Sequence, residues 1–534
     1  MEGSGEIIGS VLRRWYALAA LAVVTGIGGA LAWVSRDQVN PDGVAYVSVA
    51  RHYGSLELRA AVNGYWSPLL SWLLTPFTWL PVEPLHAARL IALVLVLIVV
   101  VVVLRLGAPG VTTRLSEWTM FAFASVLGVS LAYWATGLVT PDFLAGVVFV
   151  LALVALGRHL QSPSRTTAIR LGVCLALLYF AKSPGLFVGL AMLGVVAARD
   201  LRADGRRRLD RTTLVAGAAF LAPVIAWVAL ISVKYHRLTI STASQYNWRL
   251  AGPGPPTHPS LLPGYHPPVN SGDVWVWDDP SWLELPRWSA TDHVTYFATH
   301  VVSGINSGLT SLTTSSLLLV IGMFAGLTVT LPRAWRGVRA ALIAGGVVLV
   351  FAHAITIMEP RYLWMVGVPL LAAPVLLIRF APATRGLLGI LAFAAVQLIA
   401  SLILLFTITV PQQRVEQGGL RTMARDSRAV VPPGSRVAGP QGSTYAYCYF
   451  AGMSCVATYV LSGDPATDAA AISDMRAHDV RYYVSFNNEG PTPELPVVFQ
   501  EVAPGRSCYN AALGHGVPCN EPPLVIYDLA PGPA

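Results

Sequence analysis

The stretch of this sequence with the clearest capacity for chemistry is residues 40–68, NPDGVAYVSVARHYGSLELRAAVNGYWSP, which directly follows the first long apolar run. Its acidic residue Asp42 is a functional candidate, because a carboxylate just outside a membrane span is costly to keep unless it is solvated or used. A structural interpretation is also available. The segment from Gly43 to Tyr53 is predicted to be helical, and Asp is a preferred N-cap whose carboxylate accepts the unpaired amide hydrogens of the first turn. The sequence leaves both interpretations open.

Three further charged residues lie at the ends of apolar runs: Asp142 in a Thr-Pro-Asp turn, Lys182 in an Ala-Lys-Ser-Pro-Gly exit, and Arg361 in an Arg-Tyr-Leu corner. With the topology argued below, all three share the outer membrane surface with Asp42. One acid or base, a second acid and two cations suit chemistry on a phosphate-linked substrate held at a bilayer surface. Each also has a structural alternative, since Asp142 can cap a helix and the two cations can snorkel to lipid headgroups.

The composition indicates a polytopic membrane protein. Of 534 residues, 54% are hydrophobic and only 12% are charged, against about 25% charged in ordinary soluble domains. Several runs reach the roughly 20 residues that cross a bilayer, beginning with Trp15 to Val34. The net charge of +8 comes largely from arginines between these runs, as the positive-inside rule expects. The dense basic run from Arg199 to Arg211 therefore predicts a cytoplasmic connector, and we expect no nucleic-acid partner.

The distribution of arginine also predicts the topology. Arg13 and Arg14 precede the first span, which predicts a cytoplasmic N-terminus and an external first loop. Alternating arginine clusters then give about eleven spans in a transmembrane domain at 1–410, with external loops at about 35–84 and 234–308. Lysine is almost absent while Arg, Ala and Gly abound, a bias typical of a GC-rich bacterial genome. We therefore expect a multi-pass protein among the lipids of a bacterial plasma membrane.

Aromatic residues accompany the acid in the first external loop. Tyr46 lies four residues after Asp42, so one helix carries a polar, aromatic face. The segment from Trp66 to Leu80 is predicted to form a second short helix, too short to span and suited to the membrane interface. Together with Tyr46, the residues Tyr65 and Trp66 are candidates for substrate contact, although aromatic anchoring at the bilayer surface explains the last two equally well.

The second external loop contains another aromatic and acidic cluster, DVWVWDDPSWLELPRW at 273–288. Aromatic rings offer a sugar an apolar face to stack on, and carboxylates accept hydrogen bonds from its hydroxyls. The same composition suits an interfacial belt, and the sequence does not separate these alternatives. The residues concerned are Trp275, Trp277, Trp282, Trp288, Asp273, Asp278 and Asp279.

From residue 411 the composition becomes that of a soluble domain, so 411–534 is predicted to form a small extracytoplasmic α/β domain. The segment from Thr467 to His478 is predicted to be a helix. The predicted strands are Arg436–Ala438, Tyr445–Phe450, Val480–Phe486, Val497–Val502 and Leu524–Tyr527.

The cysteines support an external C-terminal domain. Four of the five lie in this domain, and the fifth, Cys174, lies in a span. Paired cysteines fit an oxidising, extracytoplasmic compartment. Of the three connectivities that four cysteines allow, we favour neighbours, Cys448 with Cys455 and Cys508 with Cys519. A zinc site is the alternative, but the spacings lack close Cys-x-x-Cys pairs.

In their order and sidedness, these motifs resemble those of the GT-C superfamily of membrane glycosyltransferases, especially bacterial relatives of protein O-mannosyltransferases and aminoarabinose transferases. The resemblance covers the membrane half of the chain. It rests on Asp42 in a long first external loop, the turn ending in Asp142, the exit at Lys182 and the corner at Arg361. The chain departs from the family at Gly43, since the first-loop acid of the family is often followed by another acid. This departure argues against a role that requires two adjacent carboxylates.

The resemblance implies a GT-C-like fold and a transferase that moves a sugar from a polyprenyl-phosphate donor to an extracytoplasmic glycan, lipid or protein, with inversion at the anomeric carbon. Asp42 would be the general base that takes the proton of the acceptor hydroxyl. Lys182 and Arg361 would stabilise the charge that gathers on the leaving phosphate, and Tyr362 would contact the substrate beside Arg361. Asp142 would orient the acceptor or hold a divalent cation near the phosphate, and the sequence leaves the metal requirement open.

Two other function classes remain open. A transporter or flippase of lipid-linked sugars would also keep charges near the membrane, but it predicts charges near the midplane and an internal repeat, and neither is evident. A polymerase or ligase of surface polysaccharide would be expected to depend on arginine and histidine in a late external loop, where Arg287, His293 and His300 occur.

Overall fold

Long apolar helices, short helices between them and a mixed β-sheet make up this protein in the computed structural model. The residues described are 15–202, 209–253, 264–283, 285–314, 330–380, 387–391 and 418–530, with gaps at 441–442, 462–463, 487–494, 502–506, 511–514 and 519–523, and the single positions 394, 395, 399 and 403.

Helices form most of the described membrane half. Several of them, such as α2, α5 and α7 below, begin with proline, whose missing N–H is not needed in the first turn. Their bounds are α1 Trp15–Val34, α2 Pro41–Gly54, α3 Leu58–Ala61, α4 Pro68–Leu74, α5 Pro84–Gly107, α6 Arg114–Gly137, α7 Pro141–Gln161, α8 Arg165–Ala181, α9 Gly185–Arg202, α10 Arg211–Lys234, α11 Thr242–Leu250, α12 Val294–Thr314, α13 Arg333–Ala354, α14 Trp364–Ala372 and α15 Val375–Phe380.

Seven of the described helical segments are long and apolar enough to cross a membrane: α1, α5, α6, α7, α10, α13 and the segment Pro360–Phe380, which contains α14 and α15. The sequence predicted about eleven spans. Helices α8 and α9 occupy two more of the predicted spans with 17 and 18 residues. The predicted spans at 309–331 and 387–410 lie largely outside the described residues.

One helix begins where the sequence predicted a loop. Helix α12 starts at Val294, inside the stretch 234–308 assigned to the second external loop. Its sequence, VTYFATHVVSGINSGLTSLTT, intersperses Thr, His, Ser and Asn with apolar residues. These polar residues lower the mean hydropathy, so an assignment based on apolar runs alone overlooks the helix.

The first long loop folds into short helices, as the sequence predicted. Helix α2 ends at Gly54, and a turn through Leu56, whose φ is +60°, reverses the chain. Helix α4 and the 3-10 turn Thr75–Trp79 form the second predicted helix, which begins at Pro68. The Ser71 hydroxyl donates to the backbone carbonyl of Tyr46 at 2.9 Å, so α4 is fastened against α2.

A six-stranded mixed sheet forms the core of the C-terminal segment, residues 418–530. Its strand order is β1-β3-β2-β4-β8-β5. Strand β2 runs parallel to β3 and β4, and the other pairs in this sheet are antiparallel. Because β1 comes from the second long loop, that loop and the C-terminal segment share one sheet. The six strands of this sheet are β1 Gly264–Tyr265, β2 Arg436–Gly439, β3 Ser454–Thr458, β4 Tyr482–Ser485, β5 Val497–Glu501 and β8 Leu524–Asp528. The strands β6 Ser507–Asn510 and β7 His515–Pro518 form a separate antiparallel pair.

Three described helices accompany the sheet: α16 Gly418–Asp426, α17 Ser443–Ala451 and α18 Pro465–Ala477. The predicted helix at Thr467–His478 is confirmed by α18. The predicted strand at Tyr445–Phe450 is wrong, because that segment lies within α17. Most of its side chains are buried, so its apolar run lacks the alternation that distinguishes a strand from a buried helix.

The disulfide predicted between Cys448 and Cys455 is present and joins α17 to β3. Cys174 is a free thiol, half-buried in α8. The second predicted disulfide, Cys508 with Cys519, lies outside the residues whose side chains the structure describes.

A pair of hydrogen bonds clamps the start of α2 to the start of α7. The Asn40 side chain donates to the Val139 carbonyl at 3.2 Å, and the Val139 amide donates to Asn40 Oδ1 at 3.0 Å. Gly43 permits this close approach, because a Cβ at that position would lie 2.9 Å from Val139 Cβ and 3.0 Å from Asn40 Oδ1. An acidic residue directly after Asp42, as the resembling family often has, would therefore not fit without a shift of the clamp.

We predict that Gly43→Ala disturbs this clamp, whereas Gly137→Ala is tolerated. Gly137 ends α6 two residues before Val139, and no atom lies within 4 Å of a Cβ built there, so it is a matched control. Overpacking typically costs about 1–3 kcal/mol, so the thermal midpoint in detergent should fall for Gly43→Ala alone. Equal midpoints for wild type and both variants would show that the clamp does not require glycine.

Candidate active site

A cavity of about 710 Å³ opens between the first turns of α2 and α7, the turn from α8 to α9, and the turn that precedes α14. This volume falls within the range of about 300–1,000 Å³ that is typical of small-molecule sites. All eight residues that the sequence singled out for the site line this cavity, although they come from five separate stretches of the chain. They are Asp42, Tyr46, Tyr65, Trp66, Asp142, Lys182, Arg361 and Tyr362.

Asp42 and Arg361 form an ion pair on the cavity wall. Arg361 Nη1 donates to Asp42 Oδ2 at 2.5 Å, and Arg361 Nε donates to Glu359 Oε2 at 2.6 Å. The indole Nε1 of Trp277 donates to the other Asp42 oxygen at 3.3 Å. The side chains of Asp42 and Arg361 are only 15% and 21% exposed. Their charges therefore interact more strongly than those of a pair on an open surface.

Lys182 and Asp142 form a second ion pair on the same cavity. Lys182 Nζ donates to Asp142 Oδ1 and lies 3.8 Å from the centre of the Tyr362 ring. The Tyr362 hydroxyl donates to Glu359 Oε1 at 3.4 Å, and this contact links the second pair to the first. Burial lowers the pKa of Lys182 below its ordinary value, although the neighbouring Asp142 opposes the shift. Each of the two cations thus has a carboxylate partner.

Neither aspartate caps its helix. Asn40 and Thr140 occupy the N-cap positions of α2 and α7, and Thr140 Oγ1 accepts a hydrogen bond from the Asp142 amide at 3.3 Å. Asp42 and Asp142 are each the second helical residue, after a proline. At that position the helix dipole favours their negative charge, while their carboxylates contact the two cations. The alternative that these residues are only caps is therefore wrong.

An aromatic wall completes the cavity. The ring centres of Tyr46 and Trp66 lie 5.2 Å apart, as do those of Tyr65 and Trp277. Trp66 Nε1 donates to the Trp277 carbonyl at 3.1 Å, which fixes the two indoles relative to each other. Burial, and then the negative charges of the two site aspartates, raise the pKa of Tyr46 well above its ordinary value. The wall therefore offers neutral aromatic surface beside the charged groups.

The second aromatic cluster contributes two of its four tryptophans to this cavity, Trp275 and Trp277. Trp282 is 48% exposed. Trp288 stacks on Trp248 with ring centres 4.4 Å apart. The expectation of a ring surface for a sugar is thus retained for the first two residues.

The three aspartates of that cluster anchor the loop instead. Asp273 Oδ1 contacts His52 Nε2 at 2.7 Å, and Asp279 Oδ2 contacts Lys234 Nζ at 3.2 Å. Asp278 Oδ2 accepts a hydrogen bond from a backbone amide four residues earlier at 2.7 Å. None of the three is among the described residues that line the cavity. A role for these carboxylates as acceptors for sugar hydroxyls is therefore not supported by their positions.

The lining residues that the sequence analysis did not single out include Tyr445 and Glu359. Tyr445, from α17, lines the cavity and stacks on Trp275 with ring centres 5.0 Å apart. Nothing in the local sequence indicates that this residue of the C-terminal segment contacts the membrane-spanning part of the chain, so no sequence signal could have identified it. Glu359 also lines the cavity, and its position two residues before Arg361 was a usable signal.

The residues behind the polymerase alternative lie elsewhere. Arg287, His293 and His300 are not among the described residues that line the cavity. His300 Nε2 contacts the Thr356 carbonyl at 2.6 Å.

The residues present do not fit a divalent metal ion. Within the described part of the chain, no group of three or more His, Cys, Asp and Glu side chains is arranged so that it could hold a metal ion. Asp42 and Asp142 are each already paired with a cationic side chain. We therefore derive no reaction step through a metal.

Comparisons with known proteins give a consistent but distant similarity. No family model and no curated protein matches this chain. ArnT from Cupriavidus metallidurans in the apo state shares 13% identity and a TM-score of 0.40, over 96% of this chain and 99% of that one. The Archaeoglobus fulgidus oligosaccharyltransferase in the apo form shares 11% identity and a TM-score of 0.47, over 89% of this chain and 70% of that one.

At 11–13% identity and with TM-scores below 0.5, these similarities carry no conclusion about this chain. ArnT has also been solved bound to undecaprenyl phosphate, and the archaeal enzyme in complex with an inhibitory peptide and a dolichol-phosphate. The function of this chain is inferred below from the geometry of its own cavity.

The anchor of the second long loop contains two groups with raised proton affinity. Burial, and then the charge of Asp273, raise the pKa of Asp278 to about 8. Burial opposes a charge on His52, but hydrogen bonds to Asp273 and Glu57 raise its pKa above the ordinary value. Both groups bind a proton more tightly in the folded than in the unfolded protein. Their contribution to stability is therefore lost as the pH rises through their folded pKa values.

We predict that the thermal midpoint falls as the pH is raised from about 4 to about 8, between the ordinary pKa of Asp278 and its raised value in the fold, and that Asp278→Asn flattens this dependence because Asn resembles the protonated acid. Asp292→Asn is the matched control, since Asp292 is an exposed aspartate of the same loop. The measurement is a thermal melt of each purified protein across this pH range. A wild-type slope in the Asp278→Asn variant would show that another group controls the dependence.

Proposed function

We propose that this protein is a glycosyltransferase that moves a sugar from a polyprenyl-phosphate donor to a glycan, lipid or protein acceptor outside the plasma membrane, with inversion at the anomeric carbon. The observation that carries the proposal is that two ion pairs, Asp42–Arg361 and Asp142–Lys182, line one cavity that also has an aromatic wall. Two cations that face the same space suit a phosphate. Aromatic rings beside them suit the apolar face of a sugar.

The donor phosphate would compete with the two carboxylates for their cations. The donor phosphodiester carries one negative charge, as a carboxylate does, but its two non-bridging oxygens can accept hydrogen bonds from Lys182 and Arg361 at once. Apolar residues lie next to this position, since Pro184, Phe187 and Ile240 line the same cavity. Phe187 is 43% exposed on α9. An apolar path from the phosphate to the membrane-facing side of α9 suits the polyprenyl chain.

Donor binding would then release Asp42 to act as a base. Arg361 Nη1 donates to Asp42 Oδ2 at 2.5 Å, so this oxygen is engaged in the structure. Once the phosphate engages Arg361, that oxygen regains a lone pair for the proton of the acceptor hydroxyl. The acceptor oxygen attacks the anomeric carbon, and the bond from that carbon to the phosphate oxygen breaks with its electron pair. The proton remains on Asp42, polyprenyl phosphate leaves, and attack opposite the leaving group inverts the configuration.

Lys182 and Arg361 would stabilise the reaction where its charge develops. Negative charge on the phosphate grows as the glycosidic bond breaks, so fixed cations at the phosphate favour the transition state over the ground state. We assign Asp142 to positioning Lys182, because their direct contact holds the ammonium group over the Tyr362 ring.

The cavity would face the outside of the plasma membrane. The Cys448–Cys455 disulfide lies in the C-terminal segment, which also contributes Tyr445 to the cavity. Disulfides form in oxidising compartments. The exposed arginines Arg105 and Arg158 lie at the far ends of α5 and α7, where the positive-inside rule places the cytoplasm.

The proposal is tested by incubating the purified protein with short-chain polyprenyl-phosphate sugars and an extract of cell-envelope acceptors. Free polyprenyl phosphate, detected by mass spectrometry, should accumulate only when an acceptor is present. A flippase would leave the donor intact. Failure to release the lipid from any sugar donor, with acceptors present, would refute the transferase assignment.

We predict that Lys182→Met weakens both donor binding and turnover, because the ammonium group meets the phosphate in the ground state and in the transition state. A hydrogen bond to a charged group contributes about 1.5–3 kcal/mol, so donor affinity should fall roughly 10- to 100-fold. The measurement is donor binding and transfer rate in one detergent.

Lys234→Met is the matched control. The chain has only these two lysines, and Lys234 also pairs with an aspartate, Asp279, at 3.2 Å. It is not among the described residues that line the cavity. Its removal should lower stability without changing the donor affinity of the folded fraction. Equal losses of donor affinity in both variants would exclude a specific phosphate contact by Lys182.

A further inference from the structure

A second cavity, of about 750 Å³, lies at the end of the helices opposite the candidate active site. It is bounded by α5, α7, α8, α13 and α15. Helix α7 connects the two cavities, because Asp142 stands at its start and Arg158 lines the second cavity. At 1.5 Å per residue, these two positions lie about 24 Å apart along the helix axis. The proposed sugar transfer makes no use of this second space.

Four arginines from four different helices converge on this cavity: Arg105, Arg158, Arg170 and Arg379. The described residues that line it include no Asp or Glu, and none of these arginines takes part in an ion pair within the described part of the chain. Arg379 Nη1 donates to the Leu106 carbonyl at 2.8 Å, which holds its guanidinium at the wall. The cations of the active site have carboxylate partners, whereas this cavity concentrates positive charge without one.

The basic cavity continues into a narrow apolar pocket between α7, α13 and α14. The two spaces share Leu106, Val154 and Trp335 as wall residues. The guanidinium carbon of Arg379 lies 5.6 Å from the ring centre of Trp335. This contact marks the boundary between the charged and the apolar parts. A ligand that fills both spaces needs an anionic head and an apolar tail.

We propose that this cavity binds the headgroup of an anionic phospholipid of the bilayer, with the first part of an acyl chain in the adjoining apolar pocket of about 80 Å³. Arginines that only mark the cytoplasmic ends of spans extend separately into water. Here Arg105, Arg158 and Arg170 are exposed as well, but together with Arg379 they line one cavity that also has an aromatic ring and an apolar extension. Basic pockets of this kind between spans suit anionic lipid headgroups. A free phosphate ion would leave the apolar part of the space without a partner.

The proposal is tested by native mass spectrometry of the full chain titrated with phosphatidylglycerol or with phosphatidylcholine of the same acyl chains. The cavity variant combines Arg105→Gln, Arg158→Gln and Arg170→Gln. The control variant removes the same charge from exposed arginines of the same end that are not among the lining residues: Arg165→Gln, Arg202→Gln and Arg211→Gln.

We expect phosphatidylglycerol to bind the cavity variant at least about tenfold more weakly than wild type, since each arginine near a lipid surface contributes to anionic lipid binding. The control variant should bind it like wild type. Equal losses in both variants would indicate a diffuse surface charge and overturn the proposal. Equal binding of phosphatidylcholine, or displacement of the lipid by millimolar inorganic phosphate, would also overturn it.

A measurement on the unaltered chain guards against a folding defect in the variants. Cys174 is a free thiol that lines the same cavity. Phosphatidylglycerol should slow its alkylation by N-ethylmaleimide severalfold, read from the mass of the Cys174 peptide, while phosphatidylcholine and inorganic phosphate should not. An alkylation rate that phosphatidylglycerol leaves unchanged would refute occupancy of the cavity.

Discussion

This structure depends on the pairing of four charged side chains that lie together at one end of a bundle of apolar helices. A carboxylate or cation held away from water without a partner costs several kcal/mol, and pairing offsets that cost only when the geometry is close. Asp42 meets Arg361 and Asp142 meets Lys182 at hydrogen-bond distance, so four distant stretches of chain must arrive at one place. The clamp at Asn40 serves this requirement directly, because it holds the first turns of the two aspartate-bearing helices together.

The same pairs also explain how a stable cavity can be reactive. Each cation has a carboxylate partner in the structure. A phosphate that enters can take the place of the carboxylates as that partner, and in doing so it changes what Asp42 contacts. In the proposed mechanism, binding of the donor and preparation of the base are one event, and Asp42 stays engaged by Arg361 until the donor has bound.

The membrane-spanning part of the chain and the C-terminal segment together form the aromatic wall. The Cys455 amide donates to the Val274 carbonyl at 2.7 Å, and Ser454 Oγ donates to the Asp273 carbonyl at 3.3 Å. Strand β3 therefore holds the loop that presents the two cavity tryptophans. Tyr445 of the C-terminal segment stacks on Trp275 and lines the cavity. The C-terminal segment therefore forms part of the cavity wall.

Sequence reasoning succeeded where a residue is conspicuous against its surroundings. A lone charge beside an apolar run, such as Asp142 or Lys182, is visible in any sequence, and the alternation of spans shows which charges share a side. It failed where the outcome depends on tertiary contacts. The segment around Tyr445 is apolar without a period, and α12 mixes polar with apolar residues. The roles of Asp273 and Asp278 as loop anchors depend on partners that only the fold brings near.

The most direct test of the central claim compares donor binding and turnover for wild type and Asp42→Asn in the same detergent. Asn keeps the shape of the side chain but cannot take a proton, and it removes the negative charge that competes with the phosphate for Arg361. The account predicts that turnover falls by roughly 100- to 10,000-fold, while donor affinity is kept or improved. A variant that transfers sugar at close to the wild-type rate would contradict it and would show that the base lies elsewhere.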